Sequence, residues 1–489
     1  MTDHVDVLIV GAGLSGIGAA WHLKDKSPDR SFAILEGRGA IGGTWDLFRY
    51  PGIRSDSDMY TLGYVFRPWT EAKAIADGPS ILAYVRDTAR EADIERHIRF
   101  GHMVTAAAWS TEDARWTVSA VHDGASVEIT CGFLFLCGGY YDYAGGYTPD
   151  YPGLDRFGGR LVHPQAWPED LDYAGRQVVV IGSGATAVTL VPEMARTAGH
   201  VTMLQRSPTY VVSRPAEDAF ANKLRERLPA KLAYAIVRWR NVLFGMYFFN
   251  MARKKPEQVK KGILDMVRAQ LPAGYDVETH FTPRYNPWDQ RLCLVPDADL
   301  FEAIKAGRAS VVTDHIETFT ETGVQLKSGA HLAADVVVSA TGLKLKVMNG
   351  LSLTVDGRPI VPGETLSYKG MMYEGVPNLV SVFGYTNASW TLKCDLTCAY
   401  VCRILNHMRA KGLRQVAPVN TRGDVGELPW LDFSSGYVTR AMADFPKQAA
   451  KAPWKLNQNY ALDLMSLRYQ GLEDGVLTFS NPAPLRQAA

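Results

Sequence analysis

Two glycine-rich segments of the chain have the spacing of phosphate-binding loops. In HVDVLIVGAGLSGIGAAWHL, the apolar strand VDVLIV leads into Gly11-x-Gly13-x-x-Gly16 and then an alanine-rich helix. The first glycine permits a tight turn, the second lets a pyrophosphate approach the backbone, and the third lets helix and strand pack closely. The next strand, SFAILE, ends in Glu36, whose carboxylate can accept hydrogen bonds from ribose hydroxyls. This favours an adenosine with a free 2′-hydroxyl.

The pattern recurs in GRQVVVIGSGATAVTLVPEMA, where the strand VVVI leads into Gly182-x-Gly184-x-x-Ala187 and a second helix. A second dinucleotide is therefore predicted. The strand that follows, HVTMLQRSP, ends in glutamine and Arg206 where an acid would otherwise meet the ribose. Arg206 can bind a 2′-phosphate through two hydrogen bonds, and Ser207 adds a hydroxyl donor. These residues indicate NADP(H), the alternative being that Arg206 is an ordinary solvated arginine.

The elements around these loops predict how the two sites are arranged. A chain with both sites is most simply a flavoprotein that NADPH reduces, and the strands in CGFLFLCGGYY and AADVVVSATGLKL close the two halves. We expect an α/β fold with two dinucleotide-binding (Rossmann-like) domains, the NADP-binding domain inserted in the FAD-binding domain, and a helical insert. The expected boundaries are FAD-binding 1–145 and 379–489, NADP-binding 146–212 and 301–378, and helical insert 213–300.

Composition excludes several other classes of protein. The 489 residues include 52 Lys or Arg and 51 Asp or Glu, a net charge of +1, so no overall field would attract nucleic acid. The six cysteines are few for this length and no signal segment stands at the N-terminus, so a cytoplasmic location is expected. Three cysteines share one face of a probable helix, but no fourth ligand is close. We therefore expect core packing there and no metal site; the three are Cys394, Cys398 and Cys402.

The predicted insert contains the basic and aromatic run AKLAYAIVRWRNVLFGMYFFNMARKK. Its uncharged part, residues 241–252, is well short of the roughly 20 residues that span a bilayer. We expect a helix packed on the nucleotide domains; peripheral contact with a membrane, and hence membrane association, is the alternative. Aromatic and methionine residues at 213–290 and in KGMMYEGVP suggest an apolar pocket. Core packing would use the same residues.

The segment FGGRLVHPQAWPED carries five residues at fixed offsets. A histidine near aromatic residues is more often structural, but here Phe157, Gly159, His163, Trp167 and Pro168 stand just ahead of the second glycine loop. This arrangement resembles the fingerprint of type I Baeyer–Villiger flavin monooxygenases.

A second family pattern strengthens this resemblance. The pattern Gly-Gly-x-Trp, with a later Tyr-Pro-Gly and Asp, matches GGTWDLFRYPGIRSD at Gly43, Trp45 and Asp56. The resemblance implies that these residues and Thr44 lie at the cofactor. The segments YNPWDQRLCLVPDADLF, GYTNASWTLK and PWKLNQNY further resemble the ethionamide-activating FAD-containing branch of that family.

The resemblance implies an activity and roles for particular residues. FAD, reduced by NADPH, would react with O2 and convert ketones to esters or lactones through a C4a-peroxyflavin. Arg291, in DQRLC, would stabilise the negative charge of the reaction, and Asp56 would pair with it, although Asp56 in SDSDMY could instead cap a helix. His163 and Trp167 would link the two domains, and Trp390 and Trp454 would border the substrate pocket. Many family members carry lysine before the active-site arginine, where this chain has Gln290, so its preference for NADPH over NADH could be weaker.

Other functions remain open from the sequence. The expected substrate is a small apolar ketone or sulfur compound together with O2, with oxidation of sulfides or thioamides as a further activity. A flavin enzyme that hydroxylates nitrogen or sulfur, or an NADPH oxidase, would use the same cofactors without moving carbon. A flavin-binding redox sensor is a third reading, which the intact second nucleotide loop disfavours.

Overall fold

The computed structural model describes residues 3–421, 423 and 425–482. The first part of the chain begins with the strand, glycine loop and helix that the sequence predicts. Its strands are β1 (Asp3–Val10), β2 (Phe32–Leu35), β3 (Ile98–Arg99), β4 (Met103–Ser110), β5 (Arg115–His122) and β6 (Ala125–Leu136). Its helices are α1 (Leu14–Lys26), α2 (Thr44–Leu47), α3 (Met59–Leu62) and α4 (Gly78–Glu91).

The middle part repeats the strand and helix alternation and adds a group of helices. Its strands are β7 (Arg160–Val162), β8 (Gln177–Ile181), β9 (His200–Gln205), β10 (Val211–Arg214), β11 (Cys293–Pro296), β12 (Ala309–Thr313), β13 (Ile316–Thr320), β14 (Gly323–Leu326), β15 (His331–Ala333) and β16 (Val336–Ser339). Its helices are α5 (Ala185–Met194), α6 (Ala219–Arg227), α7 (Ala230–Lys254), α8 (Pro256–Gln270), α9 (Val277–Phe281) and α10 (Asp299–Lys305).

The last part contains short strands and one long buried helix. The strands are β17 (Ser352–Val355), β18 (Arg358–Ile360), β19 (Ser367–Tyr368), β20 (Met372–Tyr373), β21 (Leu379–Ser381), β22 (Gln415–Pro418), β23 (Glu427–Pro429), β24 (Lys447–Ala449) and β25 (Leu477–Ser480). The helices are α11 (Trp390–Ala410), α12 (Gly436–Ala441) and α13 (Tyr460–Leu464), the last followed by a π-helical turn at Met465–Tyr469.

Two sheets organise the described residues, one for each glycine loop. The larger has nine strands in the order β18-β17-β4-β5-β6-β1-β2-β3, with β21 also paired to β6. Its centre is parallel, with Val7 of β1 beside Phe32 of β2 and Phe133 of β6. The smaller is a parallel five-stranded sheet in the order β12-β9-β8-β16-β7. Both glycine loops follow the carboxyl end of a central parallel strand, where doubly wound sheets bind ligands.

The chain leaves the first sheet, builds the second and returns, so the two-domain α/β fold with an inserted domain is confirmed. One expected boundary is wrong. The second sheet ends with β16, and β17 already pairs with β4 of the first sheet, with Leu353 beside Ala107. Residues 352–378 therefore lie with the first domain and not with the second. Strand pairing depends on a partner far away in the chain, so local sequence did not reveal this return.

The predicted insert is helical over α6 to α9, as expected. Helix α7 packs along α3 of the first domain, and α8 packs against β10. Arg238 of α7 is buried and donates to the carbonyl oxygens of Tyr60 and Gly63, both at 2.8 Å, and to Asp395 of α11 at 3.4 Å. These bonds hold the inner face of α7 on the first domain.

Among the described residues, no helix is both long enough and apolar enough to cross a membrane.

The three cysteines of α11 are packed inside the first domain. The Sγ atoms of Cys394 and Cys398 are 3.9 Å apart, and Cys402 donates to the carbonyl oxygen of His22. Burial raises the pKa of the Cys398 thiol well above its ordinary value. These are the surroundings of packing residues.

Candidate active site

The first glycine loop is built for a phosphate group. Gly11 has φ of 102°, and a Cβ there would lie 2.9 Å from the Cα of Gly138. A Cβ on Gly16 would lie 1.8 Å from the carbonyl oxygen of Gly11, so helix α1 and the turn could not approach with any larger residue. The backbone N–H groups at Gly13, Leu14 and Ser15 donate to no described residue. A helix N-terminus with free donors attracts anions.

The other residues predicted for this site surround the same loop. Gly43 follows Gly42 in a second turn, and a Cβ on Gly43 would lie 3.1 Å from the Cα of Gly13. The hydroxyl oxygens of Thr44 and Tyr143 are 3.5 Å apart, and Trp45 packs on the core of the first domain.

Glu36 follows β2 and is buried beside the loop. Its carboxylate accepts hydrogen bonds from the backbone N–H of Ala12 at 2.7 Å and of Arg38 at 2.8 Å. Burial raises the pKa of Glu36 above its ordinary value, with these bonds opposing the shift. The acid therefore stands at the position from which the sequence predicts a ribose contact.

The second glycine loop leaves more open space beside its middle glycine than the first loop does. Gly182 has φ of 139°, and a Cβ there would lie 2.4 Å from the carbonyl oxygen of Ala340, so the turn requires glycine. A Cβ on Gly184 would meet nothing within 4 Å, which leaves room for a ligand at the N-terminus of α5. Ala187 is fully buried against the sheet.

Gln205 and Arg206, at the end of β9 and directly after it, differ in their hydrogen bonding. Gln205 is buried and donates to the carbonyl oxygen of His280 at 2.8 Å and to Thr313 at 2.9 Å. Arg206 is exposed and makes no hydrogen bond or ion pair with any described residue. The carbonyl oxygen of Ser207 accepts a hydrogen bond from the hydroxyl of Ser183, within the glycine loop, at 3.1 Å. Arg206 is thus a free cation next to the second loop.

Arg291 and Asp56 form an ion pair, although 235 residues separate them in the chain. The Nε and Nη2 atoms of Arg291 donate to Asp56 Oδ2 at 2.9 and 2.6 Å, and Nη1 donates to the carbonyl oxygen of Thr386 at 3.2 Å. The Asp56 carboxylate raises the pKa of the Arg291 guanidinium, which stays charged. The helix-cap role falls to Asp58, whose carboxylate accepts from the backbone N–H of Thr61 at 3.1 Å.

A small cavity, partly open to solvent, lies in front of Arg291. A guanidinium has five N–H groups, so the three bonds above leave two without a partner among the described residues. Apart from Arg291, every lining side chain is uncharged, and most are aromatic; they are Tyr140, Leu345, Phe383, Tyr385, Thr386, Trp390, Leu431, Phe433, Tyr437, Val438 and Phe445. Burial raises the pKa of the Tyr140 and Tyr437 phenols, so both stay protonated. The arrangement offers two charged donors in an apolar space.

Only some of the residues that line this cavity were predicted from the sequence. Trp390 lines the cavity as expected, and its indole N–H also donates to the hydroxyl of Ser15 in α1 at 2.8 Å. Trp454 instead packs against Tyr368 in the core of the first domain. No lining residue comes from 213–290 or from KGMMYEGVP. The expectation that those segments form the pocket is wrong, because their aromatic and methionine side chains either pack in the core or lie on the outer surface.

Several lining residues were missed by sequence reasoning. Phe383, Tyr385 and Thr386 lie in or beside the quoted segment GYTNASWTLK, which was the available signal. Phe433 and Tyr437 belong to a segment without any motif, and only the fold brings it to Arg291.

Of the five fingerprint residues, His163 lies against the segments that join the two domains. The backbone N–H of Asp142 donates to Lys344, and that of Lys346 donates to Tyr140, so the two linking segments run side by side. His163 accepts at Nδ1 from the backbone N–H of Gln165 at 3.2 Å, which leaves Nε2–H to donate to the carbonyl oxygen of Gly342, also at 3.2 Å. The imidazole thus ties the fingerprint to the returning segment.

The other four fingerprint residues make contacts within the second domain. Phe157 makes an edge contact with Phe319, and a Cβ on Gly159 would lie 2.4 Å from the carbonyl oxygen of Asp335. Trp167 makes an edge contact with Tyr173, and the carbonyl oxygen of Pro168 accepts from Leu171. None of the five lines the cavity at Arg291.

Comparison with known proteins agrees with this arrangement. Residues 75–348 match the flavin-binding monooxygenase-like family, and residues 9–71 match the NAD(P)-binding Rossmann-like domain. The chain is 54% identical to the FAD-containing monooxygenase EthA of Mycobacterium tuberculosis, covering 99% of this chain and 100% of that protein. It is 49% identical to the probable FAD-binding monooxygenase AlmA of Acinetobacter baylyi, covering 98% and 97%.

A solved structure shares the fold over most of the chain. The oxidized steroid monooxygenase bound to NADP superposes with a TM-score of 0.71 at 26% sequence identity, covering 85% of this chain and 88% of that one.

Proposed function

The chain belongs to the flavin-binding monooxygenase-like family, in its type I Baeyer–Villiger branch, and on that premise we propose that it inserts one oxygen atom beside the carbonyl group of apolar ketones. It is an FAD-dependent monooxygenase that uses NADPH. The observation that carries the proposal is the paired Arg291, with two free N–H groups facing an uncharged, aromatic cavity.

The residues of the two glycine loops fit these cofactors. FAD would be held by the free N–H groups at the start of α1, by the close approach that Gly13 and Gly43 permit, and by the Glu36 carboxylate. NADPH would be held at the start of α5, with Arg206 and Ser207 on its 2′-phosphate. When bound, NADPH supplies a hydride and reduced FAD activates O2. The overall reaction converts ketone, O2, NADPH and H⁺ to ester, water and NADP⁺.

Arg291 contributes fixed positive charge to this reaction. Negative charge develops on the substrate carbonyl oxygen as an oxygen nucleophile adds to the carbonyl carbon, and the two N–H donors of Arg291 stabilise it. Asp56 accepts from the Nε and Nη2 atoms of the guanidinium and holds it in one orientation. The carbonyl oxygen of Thr386 accepts from Nη1 and fixes the remaining nitrogen. Thr386 is itself held, since its N–H and hydroxyl both donate to Gln458 Oε1. The donors therefore need little reorganisation during the reaction.

The same cavity would also accept sulfides or thioamides. Its lining offers no charged group except Arg291, so nothing in it rejects a neutral, polarisable sulfur atom. We propose sulfur oxidation as a second activity of this site.

Product analysis of the FAD-loaded enzyme tests the proposal. The enzyme would be incubated with NADPH, air and a series of linear and cyclic ketones, with a sulfide and a thioamide in parallel. Ester or lactone in amounts matching the NADPH consumed is the expected result. Sulfoxide without ester from any ketone would favour the heteroatom-hydroxylating alternative, and hydrogen peroxide as the sole product would favour the oxidase.

A further inference from the structure

Helix α7 carries an exposed apolar stripe on the side that faces away from the protein. Among the described residues, 17 large hydrophobic side chains are exposed, and ten of them lie on α6, α7 and the segment 460–469. At 100° per residue, five of those on α7 fall within about 80° of the helix circumference. These five, which we call the α7 stripe, are Leu232, Ile236, Trp239, Leu243 and Tyr247, with exposed fractions of 50, 38, 42, 57 and 64%.

A second group of apolar residues extends the stripe sideways. The rings of Trp239 and Tyr460 are 5.7 Å apart, which places the segment 460–469 beside α7. Leu462, Met465 and Tyr469 of this segment are 55 to 63% exposed. Patches of this kind on a soluble surface mark a site of interaction.

The surroundings of the stripe are strongly basic, although the whole chain is nearly neutral. Residues 219–261 contain eleven Lys or Arg and two acidic residues, a local charge of +9, so the rest of the chain carries −8. Six of these cations are exposed and make no ion pair with any described residue; they are Lys223, Arg227, Lys231, Lys254, Lys255 and Lys261. They lie before and after the stripe along the chain.

We propose that the α7 stripe docks the enzyme on the surface of an anionic lipid bilayer. An apolar helix face flanked by free lysines and arginines is the composition of interfacial helices, because the acyl boundary takes the apolar side chains and anionic headgroups attract the cations. A second copy of this chain is disfavoured as the occupant. A two-fold contact would bring together two faces that each carry the same six unpaired cations.

Docking at this face would place the cavity close to the bilayer. On the inner side of α7, Val242 packs with Tyr385 and Leu392, and Tyr385 lines the cavity in front of Arg291. The cavity wall is thus separated from the docked face by the thickness of one helix, about 10 Å. Resting on the proposed function, this implies that the substrates include lipophilic ketones or sulfur compounds that dissolve in membranes.

Vesicle flotation of the full-length, FAD-loaded protein tests the docking. Vesicles of phosphatidylcholine and phosphatidylglycerol in equal parts would be compared with phosphatidylcholine alone, at low and high salt. We expect binding to the anionic vesicles, weaker binding at high salt, and a loss of roughly tenfold or more in partition for Leu243→Ser/Tyr247→Ser. Lys254→Gln/Lys255→Gln should weaken binding to the anionic vesicles.

Matched controls separate docking from general effects. Val121→Ser/Val361→Ser removes two apolar side chains of 41 and 49% exposure outside the α7 stripe and should leave flotation unchanged. FAD content and turnover of a water-soluble ketone should be unchanged in the Leu243/Tyr247 variant, which shows that it is folded.

Three outcomes would overturn the docking proposal. They are an absence of binding to anionic vesicles, an equal loss in the Val121/Val361 control, and self-association that the Leu243/Tyr247 variant removes while vesicle binding is absent. A failure to form ester from any ketone would refute the proposed function and leave the flotation result standing.

Discussion

At the scale of single residues, Arg291 depends on groups from three distant parts of the chain. Asp56 lies between α2 and α3, Arg291 precedes β11, and Thr386 follows β21. A charge in an apolar cavity is costly unless it is paired and hydrogen-bonded, and here the pairing leaves two donors for substrate. This combination makes Arg291 the residue whose replacement tests the chemistry most locally.

Replacing Arg291 with alanine should abolish most oxygenation while leaving the NADPH site intact. Loss of a preorganised charge-stabilising donor costs roughly 10²- to 10³-fold in kcat. The measurement is ester formed per NADPH consumed, with anaerobic flavin reduction by NADPH as the control step. Ester formation at the wild-type rate in Arg291→Ala would remove Arg291 from the mechanism.

Replacing Arg206 with alanine should weaken NADPH binding selectively. The exposed guanidinium has no partner within the described protein, so its loss disturbs no internal contact. We expect KM for NADPH to rise roughly 10- to 100-fold, with KM for NADH almost unchanged. Equal effects on both coenzymes would show that Arg206 does not bind the 2′-phosphate.

The pairing partner of Arg291 could be named in advance only through the family resemblance. Asp56 and Asp58 are equally good helix caps by sequence, and the structure gives the cap to Asp58. The bond from Arg291 to the carbonyl oxygen of Thr386, and the support of Thr386 by Gln458, had no sequence signal. Contacts to backbone carbonyls do not depend on residue type, so no motif records them.

At the scale of elements, two of the three glycines of the first loop, Gly13 and Gly16, have different physical roles. A Cβ at Gly13 would lie 3.5 Å from the Cα of Gly43, an ordinary contact, and φ there is −77°. A Cβ at Gly16 would meet the carbonyl oxygen of Gly11 at 1.8 Å. Gly13 is therefore needed for the ligand, and Gly16 for the fold.

This difference gives a test with a built-in control. Gly13→Ala should lose FAD while the apoprotein melts near the wild-type temperature, and Gly16→Ala should lower the melting temperature of the apoprotein itself. At an FAD concentration of 100 times Kd, wild type should gain about 2.7 kcal/mol of stability, a gain that Gly13→Ala should lack. Full FAD binding by Gly13→Ala would contradict the assignment of this loop.

The segments that link the domains should respond to pH through His163. Burial lowers the pKa of His163 below its ordinary value of about 6.5, and the hydrogen bond to the carbonyl oxygen of Gly342 opposes this shift. The neutral ring also accepts from the backbone N–H of Gln165 at Nδ1, a bond that a protonated ring cannot make. A lowered pKa means that this stabilisation is complete above pH 6.5 and is lost as pH falls through the lower folded value.

The melting temperature of wild type should therefore fall more steeply under acidification than that of His163→Gln. The two proteins would be compared by calorimetry in matched buffers above and below pH 6.5. Parallel pH profiles would show that His163 does not titrate with unfolding.

Elements whose signals are local were predicted well from the sequence. Strands β1, β8, β9 and β16 and the helices after both glycine loops appear where the apolar runs and glycines indicate. The return of β17 and β18 to the first sheet was missed, as was the antiparallel run of β4, β5 and β6. Their alternating patterns are weak, and their partners are fixed only when the whole sheet assembles.

At the scale of the whole molecule, the uneven distribution of charge and apolar surface could not be predicted from net charge and composition. A net charge of +1 conceals a local +9 over residues 219–261. Within the same run Phe244 is 50% exposed, whereas Phe249 packs against Trp288. The exposed stripe instead consists of residues that a helical projection selects once the bounds of α7 are known.

The central claim is that one atom of O2 enters the carbon skeleton of a ketone beside its carbonyl group. The most direct measurement is mass spectrometry of the product after the FAD-loaded enzyme turns over a ketone with NADPH under ¹⁸O2. We predict an ester or lactone heavier by one ¹⁸O atom, in amounts matching the NADPH consumed. Unchanged ketone with labelled hydrogen peroxide, across the ketone series, would contradict the assignment of this site to carbon–oxygen insertion.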